Sequence, residues 1–208
     1  MIPATGAPGP AVASYTGDVA AGALGPTLVH EHIFVGDPEL ERAIPHPEWD
    51  EERAIATAAA TLETLVDAGI RTVVDLTVPG LGRDVRRVAA VAARTRMQLI
   101  AATGWYTPDL LPHELRLRGP GLLVEEPDPL VDLFVGDIRE GIAGSEVRAG
   151  VIKITSDAAG ITPDIHRVFA AAAEAHRETG APIFTHSSPA VRGGLEQQRE
   201  LRALGVDL

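Results

Sequence analysis

The chain has 208 residues, 45% of them hydrophobic and 23% charged, enough for one large domain with a real core or two small ones. No cysteine is present, which excludes a disulfide scaffold, a thiolate metal site and a cysteine nucleophile. A net charge of −11 argues against a nucleic-acid backbone or an anionic membrane surface as partner. Of the 18 basic residues 17 are arginine, and Lys153 is the single lysine.

Residues 1–24 are rich in Gly, Pro and Ala and read as an irregular lead-in, ending in a short strand near Ala13–Thr16. Met1–Tyr15 has neither a basic start nor an apolar run, so no signal peptide is expected and the chain reads as cytoplasmic. No uncharged stretch reaches the length of a spanning helix.

From Thr27 onward, short apolar runs alternate with longer amphipathic segments. Strands are expected at Thr27–His30, Thr72–Leu76, Gln98–Thr103, Gly150–Ile154 and Pro182–Thr185, each nearly continuous in apolar residues as in strands buried on both faces. Helical spacing predicts Glu51–Ala68, Asp84–Arg96, Pro129–Ala143, Pro163–Thr179 and Val191–Leu204, with Gly69, Gly180 and Gly205 as stops. The alternation predicts an α/β fold with a parallel sheet, either an open doubly wound sheet or a (β/α) barrel, and no linker divides residues 25–208. The dinucleotide fingerprint is missing, because Gly80-Leu-Gly82 is followed by Val85 where a third glycine would stand. No Walker Gly-Lys-Ser/Thr exists.

The unusual polar residues fall at the carboxyl ends of these strands, where parallel α/β folds collect their chemistry. His30 and His32 are two apart on a strand, so both can face one metal ion; an isolated His-x-His pair also arises by chance. Lys153 sits inside the apolar run Gly150–Thr155. It either snorkels to solvent or supplies a desolvated amine, which arginine cannot do because it never loses its proton. His186 ends the fifth strand and taken alone reads as a hydrogen-bonded strand-end residue. Together, three imidazoles and the singular lysine favour a catalytic metal cluster. Tyr106, after strand three, lines a pocket mouth or, with Trp105, caps the core. His46, His113, His166 and His176 read as surface or structural residues.

At these positions the sequence resembles the phosphotriesterase family of the amidohydrolase superfamily. Gly25-Pro-Thr-Leu-Val-His-Glu-His-Ile33 is similar to its opening signature, Thr77–Asp84 to its turn after strand two, and Ala102–Tyr106 to its third strand end. Gly150–Ser156 resembles its lysine strand, and Ala170–Ser187 its Ala-rich helix followed by Thr-Gly-Ala-Pro and Thr-His. The resemblance implies a (β/α)8 TIM barrel with two divalent metal ions, zinc first among them, at its carboxyl face. It implies that His30 and His32 hold the more buried ion, that a CO2-derived carbamate on Lys153 bridges both, and that His186 holds the more exposed one. It further implies a bridging hydroxide as nucleophile and Tyr106 beside the second metal, as in lactonase-like members. The substrate would be a small-molecule ester, lactone or organophosphate, with no nucleic acid or membrane as partner and a homodimer in the full-length form.

The family also takes a histidine from strand six and an aspartate from strand eight, and the sequence ends at Leu208 before either. Five βα units make an incomplete barrel, so the chain is expected to be a fragment with little turnover of its own. The alternatives are a hydrolase of amides or other esters on the same metals, and a catalytically inactive module that binds a metal or partner chain.

Overall fold

The computed structural model describes residues 10–208; the first part of the lead-in, residues 1–9, lies outside them. The chain opens with β1 (Ala11–Ser14) and β2 (Gly17–Ala20), an antiparallel hairpin paired from Ala11↔Ala20 to Ser14↔Gly17. The strand expected near Ala13–Thr16 is the first arm and turn of this hairpin. Its Tyr15 N–H donates to Leu99 O at 2.9 Å, and Val12 packs with Val74, Leu76 and Ile100. The hairpin therefore covers the end of the sheet from which the strands start.

Five strands form the main sheet: β3 (Thr27–Glu31), β4 (Thr72–Asp75), β5 (Gln98–Gly104), β6 (Ala149–Ser156) and β7 (Ile183–Ser187). All are parallel, and each lies beside its predecessor in the order β3-β4-β5-β6-β7. A doubly wound sheet reverses its strand order at a switch point; this one does not, so the fold is the incomplete (β/α) barrel.

Among the described residues seven α-helices accompany the strands: α1 (Pro38–Ala43), α2 (Glu51–Asp67), α3 (Val85–Ala92), α4 (His113–Leu117), α5 (Pro129–Arg139), α6 (Pro163–Thr179) and α7 (Gly193–Ala203). Their starts follow from capping chemistry. Asp50, Asp84 and Asp128 each accept a backbone N–H one turn in, as does Thr162, and proline follows at the first position of α5 and α6. The α6 helix ends on Gly180 at φ 74°, a left-handed cap. The expected helix Pro129–Ala143 stops four residues early. Gly141 takes φ 135° and Ala143 φ 52°, which no α-helix accommodates. The short α1 and α4 helices have no counterpart in the sequence reading; five or six residues carry too little periodicity to register.

The strands alternate their faces. On β6, Ile152 and Ile154 pack against α5 and α6 with Phe134, Ile165 and Phe169, while Val151 faces inward beside Val74, Leu76, Ile100 and Ala102. Lys153 shares the parity of Val151 and so points to the inner face. On the other side, Val73 and Leu99 pack with Ile55, Leu62 and Val66 of α2 and with Val88 and Val91 of α3.

Two contacts fix the central strands more tightly than packing alone. The Arg83 guanidinium donates to Asp137 Oδ2 at 2.7 Å and to Ala102 O at 3.1 Å, and Thr103 Oγ1 donates to the same carboxylate oxygen at 2.7 Å. This pair is nearly dry and ties α5 to β5. Gly104, at φ 126°, lies so close to β6 that a Cβ there would stand 1.9 Å from Lys153 O.

Candidate functional site

The site is built at the carboxyl ends of β3, β6 and β7. On β3 the pairing with β4 slips between Leu28 and Glu31, so that Val29 and His30 together oppose Val74. Strict alternation from Leu28, which packs toward α2, would carry His30 to that same helix-facing side. The bulge reverses it, and His30 meets Lys153 instead. Lys153 Nζ lies 3.0 Å from His30 Nε2 and donates to it.

His32 follows directly after β3, its ring centroid 5.6 Å from that of His30. The His186 ring lies 6.1 Å from His30 across the sheet, and Tyr106 stands 6.3 Å from His186. The structure therefore brings His30, His32, His186 and Lys153 to one place, with Tyr106 at its border. Trp105 and Tyr106 divide the two roles left open by the sequence: Trp105 packs with the α5–α6 core, and Tyr106 turns toward His186. Two main-chain bonds hold this segment, Trp105 N–H to Lys153 O at 3.0 Å and Tyr106 N–H to Pro79 O at 2.9 Å. The turn after β4 approaches so closely that a Cβ on Gly80 would fall 1.9 Å from Tyr106 O.

The electrostatics follow from burial. Lys153 is 1% exposed, and loss of hydration pushes its ammonium down to about 8. His30 and His32, though on the open edge of the sheet, are held below the usual imidazole range, first by lost hydration and then by the charge of Lys153. Neutral imidazoles and an amine that deprotonates near pH 8 are the protonation states a divalent cation needs in its ligands. Among the described residues no group of three His, Asp or Glu side chains is gathered tightly enough to hold a metal ion.

Three residues of the site were missed in the sequence reading. Asp75 and Thr77, both buried, stand behind His32: Thr77 Oγ1 is 3.0 Å from His32 Nδ1 and 2.6 Å from Asp75 Oδ1. Burial raises the Asp75 carboxyl to about 6, against the pull of hydrogen bonds from Thr77 and from the Ile33 N–H. Gln197 of α7, 2% exposed, donates to His186 O at 2.6 Å and to Ser156 Oγ at 2.8 Å, pinning the end of β7 to β6. Asp75 had a signal, a carboxylate within the apolar run Thr72–Leu76, the same anomaly that marked Lys153. Gln197 had none on an amphipathic helix.

The other histidines are elsewhere. His166 pairs with Glu200, His176 Nδ1 bonds Ala181 O at 2.9 Å, and His46 Nδ1 accepts from the Glu48 N–H at 3.2 Å. His113, expected in a loop, opens α4. A cavity of about 570 Å3 between the Gly80–Arg86 turn, Trp105 and Ala143 contains none of the candidate residues.

Fold and site together define a partial (β/α) barrel with its polar residues at the carboxyl ends of parallel strands. The model of the phosphotriesterase family matches residues 10–208, and the chain belongs to that family. It is 44% identical over 185 residues to a phosphotriesterase homology protein of Mycobacterium tuberculosis, covering 89% of this chain and 57% of that one. It is 40% identical over 184 residues to the aryldialkylphosphatase of Saccharolobus solfataricus, covering 88% and 56%. The solved structure of the phosphotriesterase from Mycobacterium tuberculosis superposes with a TM-score of 0.92 at 42% identity, over 96% of this chain and 61% of that one. The chain thus spans less than two thirds of the length of these relatives.

Proposed function

We propose that the chain is the metal-ligating part of a hydrolase that cleaves small-molecule ester, lactone or phosphotriester bonds. The observation that carries this reading is the 3.0 Å approach of the buried Lys153 amine to His30 Nε2, with His32, His186 and Tyr106 around it. Nothing in a folding role requires a primary amine in a dry interior beside three imidazoles.

The donor set fits a pair of divalent ions, zinc first by its affinity for imidazole and oxygen donors. His30 and His32 would hold one ion and His186 the other. Lys153, once its amine carries CO2 as a carbamate, would reach both. When bound, the ions would supply a hydroxide at neutral pH and polarise the oxygen under attack. The chain's own residues prepare this. The dry environment of Lys153 raises the fraction of free amine, and the bulge in β3 turns His30 toward it. Gln197 holds the backbone of His186, and Tyr106 offers an aromatic wall for the substrate. The name of the Saccharolobus relative supports an aryl dialkyl phosphate, and the tyrosine at position 106 supports a lactone as natural substrate. The hydrolase part would be residues 25–208, preceded by the lead-in 1–24. An acidic, cysteine-free chain supports a cytoplasmic location and no nucleic-acid or membrane partner, with a homodimer as the assembly of the longer protein. Among the described residues no helix is long and apolar enough to cross a membrane.

A second reading, a metal- or partner-binding module without turnover, is favoured by the absence of a complete three-carboxylate/imidazole group among the described residues. Zinc titration by calorimetry in bicarbonate buffer, followed by assays on a lactone and an aryl dialkyl phosphate, separates the two. The hydrolase reading expects zinc binding that Lys153→Met and His30→Ala each abolish, with hydrolysis in a longer version containing the rest of the barrel. Zinc binding unaffected by both substitutions would overturn the site.

A further inference from the structure

Behind the exposed His32 a short chain of hydrogen bonds runs inward through Thr77 to the buried Asp75. Asp75, 2% exposed, receives three donors: the Thr77 hydroxyl at 2.6 Å, the Thr77 N–H at 3.1 Å and the Ile33 N–H. A carboxylate surrounded by donors acts only as an acceptor. The Thr77 hydroxyl has one hydrogen, and its short bond to Asp75 commits that hydrogen. With that hydrogen committed, the hydroxyl oxygen can only accept from His32 Nδ1, 3.0 Å away, so His32 is the donor there. An imidazole that keeps its hydrogen on Nδ1 leaves its lone pair on Nε2.

We infer that Asp75 and Thr77 are positioning residues that fix His32 in the Nδ1–H tautomer and aim its Nε2 lone pair toward the His30–Lys153 centre. The arrangement does for a metal-ligating histidine what a carboxylate partner does elsewhere, with a threonine hydroxyl interposed. Among the described residues neither side chain hydrogen-bonds to His30, Lys153 or His186. Thr77 is 3% exposed, and among the described residues its hydroxyl has no side-chain partner besides Asp75 and His32. The role of His32 as a ligand rests on the function proposed above; the tautomer does not.

Long-range 1H–15N correlation spectra of the zinc-free chain labelled with 15N-histidine read the tautomer directly. The wild-type His32 ring is expected in the Nδ1–H form at pH 7.5. Thr77→Val keeps the shape and removes the acceptor, and is expected to shift His32 toward the Nε2–H form. It should also weaken zinc binding by about 10–100-fold. Thr77→Ser restores the hydroxyl and should restore both. A wild-type His32 in the Nε2–H form, or a folded Thr77→Val chain with unchanged tautomer and zinc affinity, would overturn the relay. Should Thr77→Val fail to fold, the wild-type spectrum and Thr77→Ser decide, since loss of the Nδ1–H form on a conservative change to serine contradicts the relay. A chain with the expected tautomer that binds no zinc would refute the metal reading and leave the relay standing.

Discussion

A lysine is costly inside an apolar strand, and Lys153 is 1% exposed. Its ammonium titrates near 10.5 when unfolded and near 8 when folded, so between these values the unfolded chain holds more protons. Stability of the metal-free chain should therefore rise as pH increases from about 8 to 10.5. Below pH 8 the buried charge costs about 3 kcal/mol by the same linkage. We expect Lys153→Met to stabilise the metal-free chain by about 1–3 kcal/mol at pH 7 and to flatten that rise, measured by urea unfolding across the pH range. A lysine that merely snorkelled to solvent would give no such dependence. The residue identities at this centre were legible: the single lysine and the strand-end histidines stand out in composition and pattern. Thr77 was not, because threonine beside a strand is common and only its two partners mark it.

Among the elements, the central strands depend on close approaches that few substitutions tolerate. Gly104→Ala would drive a methyl into the Lys153 carbonyl while holding φ at 126°. We expect a loss of at least about 3 kcal/mol, read by denaturant unfolding, from backbone strain and the broken β5–β6 ladder. Asp137→Ala would leave the Arg83 guanidinium buried without its partner, at about 3–5 kcal/mol. The double change with Arg83→Met should recover part of that loss, which distinguishes an orphaned charge from a lost contact. Periodicity predicted the five long helices and five strands to within a few residues; β4, β5 and β6 are buried on both faces as expected, whereas β3 and β7, at the edges of the sheet, have no fully buried residue. It carried α5 too far through Ala143, because an alanine says nothing of the left-handed turn that Gly141 and the tertiary contacts impose there.

For the whole molecule, the strand order leaves β3 and β7 each with one edge that no other strand among the described residues pairs. On β3 the side chain of Val29 is 52% exposed. An apolar strand with free N–H and C=O groups templates association. We expect concentration-dependent self-association in sedimentation velocity, reduced by Val29→Lys, which charges the edge. Sedimentation unchanged by Val29→Lys would show that this edge is not the contact. The relatives extend well beyond the matched region, as the 57% and 61% shares of their lengths show.

The sequence by itself determined the class of fold, the family and the identity of the polar residues, because alternating apolar runs and rare residues at strand ends are local patterns. It could not decide which way His30 faces. Alternation from Leu28 points it at the helices, and only the slip in β3–β4 pairing, a relation between two distant segments, turns it to Lys153. The same holds for the Asp75–Thr77–His32 chain, whose bond across 45 residues exists only once β3 and β4 lie side by side, and for Gln197 beneath His186, which reaches it only once α7 packs on β7.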